Sequence, residues 1–260
     1  IWKQVDGVLL LDKPLGLTSN DALQKARRLF SAAKGGHTGT LDPLATGLLP
    51  LCFGEATKFS ADLLDADKTY EAVLKLGVTT DTGDAEGAVT ATVAVDAAES
   101  AILSVLPRFV GDIRQIPPMH SALKRDGRPL YELARQGIEV ERAPRAVTVH
   151  AIDCLDFAGG LLTLRVACSK GTYIRVLAAD IGQALGCGAH LTALRRTRVG
   201  DLDLAGAVTL AELEALDEAG RAGCLQPVDA LLRSLPVVMV AGEDAERFRH
   251  GNPVDLQPGL

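Results

Sequence analysis

Residues 34 to 47 read KGGHTGTLDPLATG. Gly35, Gly36, Gly39 and Gly47 permit backbone conformations and close approaches that side chains forbid, and Pro43 fixes the turn directly after Asp42. The stretch therefore reads as a loop built around one carboxylate. It lacks the Lys-Ser/Thr ending of a phosphate loop, so nucleotide cradling is not what it is shaped for. An isolated Asp-Pro is an ordinary turn initiator, and the loop gains meaning only from what surrounds it.

On its N-terminal side an apolar run, Val8 to Leu11, lies between Asp6-Gly7 and Asp12-Lys13-Pro14 and predicts a short buried strand. Thr18 or Ser19 caps a helix running to about Phe30. On its C-terminal side a helix is expected over Glu55 to Asp65, followed by an alternating strand over Thr69 to Leu76. Further strands are expected near 88–94, 146–157 and 161–168, and helices over 97–106, 129–136, about 173–185 ended by Gly186, and 209–219. Strand and helix do not alternate regularly. The fold class expected is therefore α+β with a mixed, largely antiparallel sheet.

The chain has 260 residues, 47% apolar and 23% charged, enough for a sizeable core and outside the disordered and low-complexity classes. No apolar run approaches the ~20 residues of a membrane span, and no charged-then-apolar leader precedes the first strand, so a cytoplasmic protein is expected. Five cysteines without a CxxC pair argue against a disulfide framework or structural zinc. The net charge of -6 taken alone argues against a polyanionic partner. The charge is segregated, however. Arg165, Lys170, Arg175, Arg195, Arg196 and Arg198 face only Asp180 in their stretch, while the acids cluster between Asp201 and Asp229. A basic face on an acidic protein satisfies the local requirement for binding nucleic acid. Residues 117 to 146, proline-rich and basic, read as an excursion from the sheet.

The loop extended to KGGHTGTLDPLATGLLP joins LDKPLGLTS at 11–19, KTYEA at 68–72, PPMHSALK at 117–124, SKGTYIRVLAADIG at 169–182 and HLTALRRTRVG at 190–200. In this order the blocks resemble the bacterial tRNA pseudouridine(55) synthase family and cover most of residues 5 to 235. The resemblance implies the pseudouridine synthase fold, and isomerisation of uridine 55 in the T loop of tRNA after the base is flipped out. It also implies no metal, no organic cofactor and no obligatory protein partner, in a chain expected to be monomeric. Residues 1–235 would form the catalytic domain, and 236–260 would open a small RNA-binding domain of the PUA type.

By the same resemblance Asp42 is the essential carboxylate, as nucleophile or base, and Arg175 pairs with it. Tyr70 stacks on the target base and is a candidate to take the C5 proton. Tyr173 and Leu194 wall the pocket, and His37 lies near the gap left by the flipped base. If Tyr173 and Arg175, two apart, share the pocket, the helix must begin later than its apolar pattern suggests. Lys13, Lys58, Lys124, Arg125, Arg128, Arg195 and Arg196 are candidate phosphate contacts. Two other readings are a non-catalytic RNA-binding or RNA-folding module and a guide-RNA-dependent relative that needs partner proteins.

Overall fold

The computed structural model describes residues 1–233 and 235–254. Thirteen strands run in chain order: β1 Gly7–Lys13, β2 Gly35–His37, β3 Ala45–Phe53, β4 Lys68–Leu76, β5 Val78–Thr80, β6 Val89–Thr92, β7 Gly111–Gln115, β8 Lys124–Arg125, β9 Arg128–Pro129, β10 Arg145–Ala158, β11 Leu161–Cys168, β12 Ala189–Val199 and β13 Leu202–Asp203. The helices are α1 Ser19–Leu29, α2 Ser60–Asp65, α3 Glu99–Val105, α4 Leu130–Arg135, α5 Ile174–Ala184, α6 Leu210–Ala215, α7 Glu218–Gly223 and α8 Gly242–Arg249. Nine strands form one sheet in the order β1-β3-β12-β4-β11-β10-β7, with β2 on β3 and β13 on β12. Every pairing in it is antiparallel except β3 with β12. The mixed, largely antiparallel α+β expectation holds.

The two halves of the sheet follow different sequence rules. In β1 successive apolar residues go to opposite faces: Leu9 and Leu11 pack with α1 and α6, while Val8 and Leu10 pack with Leu63, Val199 and Leu231. β3 does the same with Leu49, Leu51 and Phe53 on one face and Leu48 and Cys52 on the other. Strands covered on both faces are written as continuous apolar runs. β4 and β11 instead alternate, placing Ala72, Leu74, Leu162, Leu164 and Val166 against Ile174, Leu177 and Ile181 of α5. Their other face is partly open to solvent, which fits an antiparallel pair with one covered side.

Several expected boundaries move. Residues 34–47 are not all loop, because Gly35–His37 pairs with Phe53–Leu51 and β3 already starts at Ala45. The helix expected over Glu55–Asp65 divides into a 3-10 segment, Gly54–Phe59, and α2. The one expected over 209–219 breaks where Leu216 adopts an extended backbone, giving α6 and α7. In the tail beyond the sheet, α8 buries no residue. Among the described residues no helix is long and apolar enough to cross a membrane.

Candidate active site

Asp42 stands in the turn between β2 and β3, pinned from both sides. Ser19 Oγ, at the start of α1, donates to Leu41 O at 3.1 Å and accepts from Leu41 N at 2.8 Å. Gly16 N donates to Pro43 O at 2.8 Å, and Ala45 N to Asp42 O at 2.9 Å. The peptide units on both sides of Asp42 are thus tied down, which fixes where its carboxylate points. That carboxylate remains 46% exposed, with Oδ2 3.1 Å from Arg175 Nη2.

Arg175 is 7% exposed and spends its guanidinium on four acceptors. It donates to Thr82 O at 3.2 Å and His120 O at 2.5 Å, and sits between Asp42 and Asp84, the latter 3.6 Å away. Asp84 Oδ1 in turn accepts from Thr82 Oγ1 at 2.6 Å and Glu86 N at 3.1 Å. A buried guanidinium with its donors engaged is rigid, so it presents the Asp42 carboxylate in one orientation. Tyr173 has an extended backbone and Arg175 is the second residue of α5, so the helix begins late enough for both to line one cavity.

That cavity, about 250 Å³, is walled by Asp42, Tyr70, Tyr173, Arg175, Leu194 and Arg196. Its floor comes from the middle of the sheet. On β12, Leu194 is opposite Ala45 on one neighbour and Ala72 on the other, and Arg196 is opposite Gly47 and Tyr70. Gly47 has φ +101°, and a Cβ there would stand 2.2 Å from Arg196 O, so only glycine lets β12 lie against β3 at this point. Burial pushes the Tyr70 phenol up, opposed by the nearby Arg196 cation, and the hydroxyl is protonated at neutral pH. Tyr173 is likewise pushed up, chiefly by burial.

A second chamber of about 640 Å³ shares Asp42 and Arg175 with the first and is lined by Asn20, His37, Glu86 and Arg135 among others. Burial, with Arg196 adding to it, holds the His37 imidazole below its ordinary value, so it is neutral at pH 7. Its Nδ1 is enclosed with no partner among the described residues.

The structure gathers Asp42, Tyr70, Tyr173, Arg175 and Leu194 around one cavity and His37 around the next, but it redistributes the proposed phosphate contacts. Lys13 is 0% exposed, and its Nζ donates to Pro14 O at 2.8 Å and Leu17 O at 2.6 Å. Burial lowers its ammonium to about 8, with Asp42 opposing the shift. It ties the chain before α1 and is not open to a phosphate. Arg196, 1% exposed, donates to Leu48 O at 2.9 Å and Gly39 O at 3.2 Å; it belongs to the cavity floor and not to an outer RNA track. Lys58 is exposed and paired with Glu55, while Arg195 makes a bidentate pair with Asp12 at 3.0 and 2.8 Å. Lys124, Arg125 and Arg128 are exposed. The sequence reading missed Asp84, Gln115 and Ser121. Asp84 lies in TTDTGDAEG, where nothing distinguishes a buried acid from the exposed ones beside it.

A carboxylate held by a buried arginine at the mouth of an aromatic-walled cavity, on a mixed sheet of this order, defines the class of pseudouridylate synthases. Residues 27–174 match the TruB family pseudouridylate synthase N-terminal domain and residues 175–233 the tRNA pseudouridylate synthase B C-terminal domain, and the chain belongs to the TruB family. The tRNA pseudouridine synthase B of Dechloromonas aromatica is 83% identical over 259 residues, covering 100% of this chain and 87% of the relative. That of Ralstonia nicotianae is 63% identical over 262 residues, covering 99% and 83%. Among solved structures, a Cbf5-Nop10-Gar1 complex matches with TM-score 0.74 at 32% identity, over 94% of this chain and 67% of that one. An H/ACA RNP bound to a substrate RNA containing 2'-deoxyuridine matches with TM-score 0.64 at 30% identity, over 86% and 60%. The two family segments meet between Ile174 and Arg175, inside the cavity wall, and β12 of the second lies in the centre of the sheet. Strands of both segments thus share one sheet.

Proposed function

We propose that this chain isomerises uridine 55 in the T loop of tRNA to pseudouridine, unaided by guide RNA or partner proteins and as a monomer in the cytoplasm. The observation that carries the reading is the Asp42–Arg175 pair, 3.1 Å apart, at a cavity of about 250 Å³ lined by Tyr70 and Leu194. A stacked T-loop uridine cannot reach such a cavity without leaving its stack, so eversion precedes chemistry. The reaction then breaks the N1–C1' bond, turns the uracil, forms C5–C1', and moves the C5 proton off as N1 gains one. Asp42 begins this as nucleophile or base: attack at C6, attack at C1' and elimination to a glycal all need its carboxylate unprotonated. Arg175 orients that carboxylate, and Tyr70 offers a flat face to the detached base. Tyr70 can accept the C5 proton only as its own phenolic proton passes to N1 of the detached uracil, and the Arg196 cation is the neighbour that opposes the upward pull of burial on that phenol.

The exposed cations Lys58, Lys124, Arg125 and Arg128, with the half-exposed Arg195 that Asp12 holds, supply phosphate contacts in this reading, and neutral His37 meets the RNA beside the everted base. Residues 236–260 open a small RNA-binding domain. Support for this comes from α8, which buries nothing, and from Val237, Met239 and Phe248, which are exposed. Tritium release from tRNA carrying 5-tritiated uridine, with the purified chain alone, tests the assignment. One equivalent per tRNA, mapped to the T loop, is expected. Binding without release would favour the RNA-folding module, and release only after adding guide RNA and partner proteins would favour the guided relative.

A further inference from the structure

The chain leaves the sheet at Gln115, the last residue of β7, and returns at Arg145, its register partner on β10. Between them runs the basic excursion. Gln115 is 2% exposed, and both polar atoms of its side chain are spent on the backbone of one residue. Nε2 donates to Tyr173 O at 3.2 Å, and Oε1 accepts from Tyr173 N at 2.9 Å. The side-chain amide thus plays the part of a neighbouring strand at a place where no strand runs, since β11 has ended at Cys168.

Tyr173 is where the backbone turns from extended into α5, with φ −97° and ψ 108°, and no side chain caps that helix. Two residues on, Arg175 Nη2 donates to His120 O at 2.5 Å, five residues beyond Gln115. Three hydrogen bonds therefore lace the root of the excursion, 115–120, to the segment 173–175. Both ends of that segment line the cavity, and Arg175 is the group on Asp42. An apolar residue at 115 would fill the same space without ordering or desolvating an amide. The glutamine supplies direction.

We propose that Gln115 is a positioning residue for the isomerisation. It fixes the extended turn at Tyr173, and through it the seating of the excursion on RNA is coupled to the reach of Arg175 onto Asp42. The proposal rests on the reading of the chain as a uridine isomerase.

Gln115→Leu removes both bonds, stripping the Tyr173 N–H of its partner and leaving the Tyr173 C=O only the helical bond from Leu177 N at 3.1 Å. Gln115→Glu keeps the acceptor and sets an oxygen against the Tyr173 carbonyl. Gln115→Asn keeps both groups on a shorter stem. Each is compared with the wild type and with Leu106→Ala, a truncation of a buried residue that does not line the cavity, for single-turnover rate, tRNA Kd and melting temperature. Gln115→Leu is expected to slow the single-turnover step by roughly ten- to a hundredfold, the scale of an unpaired buried polar group, with Kd changed less than about threefold. Asn is expected to recover part of the rate, and Leu106→Ala to lower the melting temperature at an unchanged rate. If Gln115→Leu does not fold, the nearly isosteric Glu variant decides. A Leu or Glu variant that turns over at the wild-type rate, or a slowdown that Leu106→Ala reproduces, overturns the proposal. An inactive wild type overturns the functional reading and the proposal with it.

Discussion

Arg175 and Arg196 line the same cavity and are both nearly sealed from solvent, yet they meet the cost of burying a cation in different ways. Arg175 is set between two carboxylates and two carbonyls. Among the described residues Arg196 has the carbonyls of Leu48 and Gly39 and the Tyr70 hydroxyl beside it but no carboxylate, and burial draws its guanidinium below the ordinary range. The first is one member of a charged unit, whose removal strands its partners. The second is a cation the fold tolerates for what it does to its surroundings: it joins β12 to the loop before Asp42 and biases the phenol of Tyr70.

The largest effect tests the charged unit itself. Asp42→Asn keeps the shape and removes the charge, so single-turnover conversion is expected to vanish while tRNA Kd stays within about tenfold, or ~1.4 kcal/mol. Measurable conversion would detach Arg175 from the chemistry and dissolve the contrast. Next, Arg175→Met leaves buried Asp84 without its cation and Asp42 without its orienting partner. A rate loss on the order of a hundredfold or more and a stability loss of about 3 kcal/mol are expected from single-turnover assays and urea unfolding.

Arg196→Met should behave differently. The desolvation cost disappears along with the two carbonyl bonds, so unfolding is expected to shift by less than about 1.5 kcal/mol, with a rate loss nearer tenfold arising through Tyr70. If this variant destabilises more than Arg175→Met, the comparison is reversed.

The last effect concerns pH. Burial lowers Lys13 and Lys68 from 10.5 to about 8 and raises the Cys52 and Cys168 thiols from 9.0 to about 11. Below pH 8 both lysines are protonated folded or unfolded, and the burial cost is full. Between 8 and 10.5 the folded state gives up protons that the unfolded chain keeps, so stability rises with pH. Above pH 9 the thiols act in the opposite sense, because the unfolded chain loses protons the folded one retains. Stability is expected to rise by about 2 kcal/mol from pH 7.5 to 9 and then level off. Urea unfolding across this range should show Lys13→Met removing about half the rise. A flat profile in the wild type would show that burial does not weaken these ammonium groups.

Much of the site was legible because its residues sit in dense local patterns: glycines and a proline around Asp42, and Tyr173 and Arg175 within one short block. The floor was not. Arg196 and Lys13 read as surface cations, since Lys and Arg are rarely buried and nothing local shows which elements will cover them. β3 was missed as a strand because LLPLCF has no alternation and contains Pro50, which cannot donate to a ladder. β12 was missed because its basic residues suggest an exposed segment, whereas its place between β3 and β4 is set by partners remote in sequence. Asp84 and Gln115 acquire meaning only from Arg175 and Tyr173, which no spacing rule ties to them.

The position of β12 also sets a timetable for the cell. Arg196 meets Leu48 across 148 residues of chain, so during synthesis at ~5–20 residues per second β3 and β4 wait on the order of ten seconds for the strand that belongs between them. Until then a ribosome carries a chain with Asp42 and Tyr70 already made, two unpaired strand edges and no cavity. The enzyme is therefore inert until β12 has been made, and that interval, with its strand edges unpaired, is when the nascent chain has most need of a chaperone.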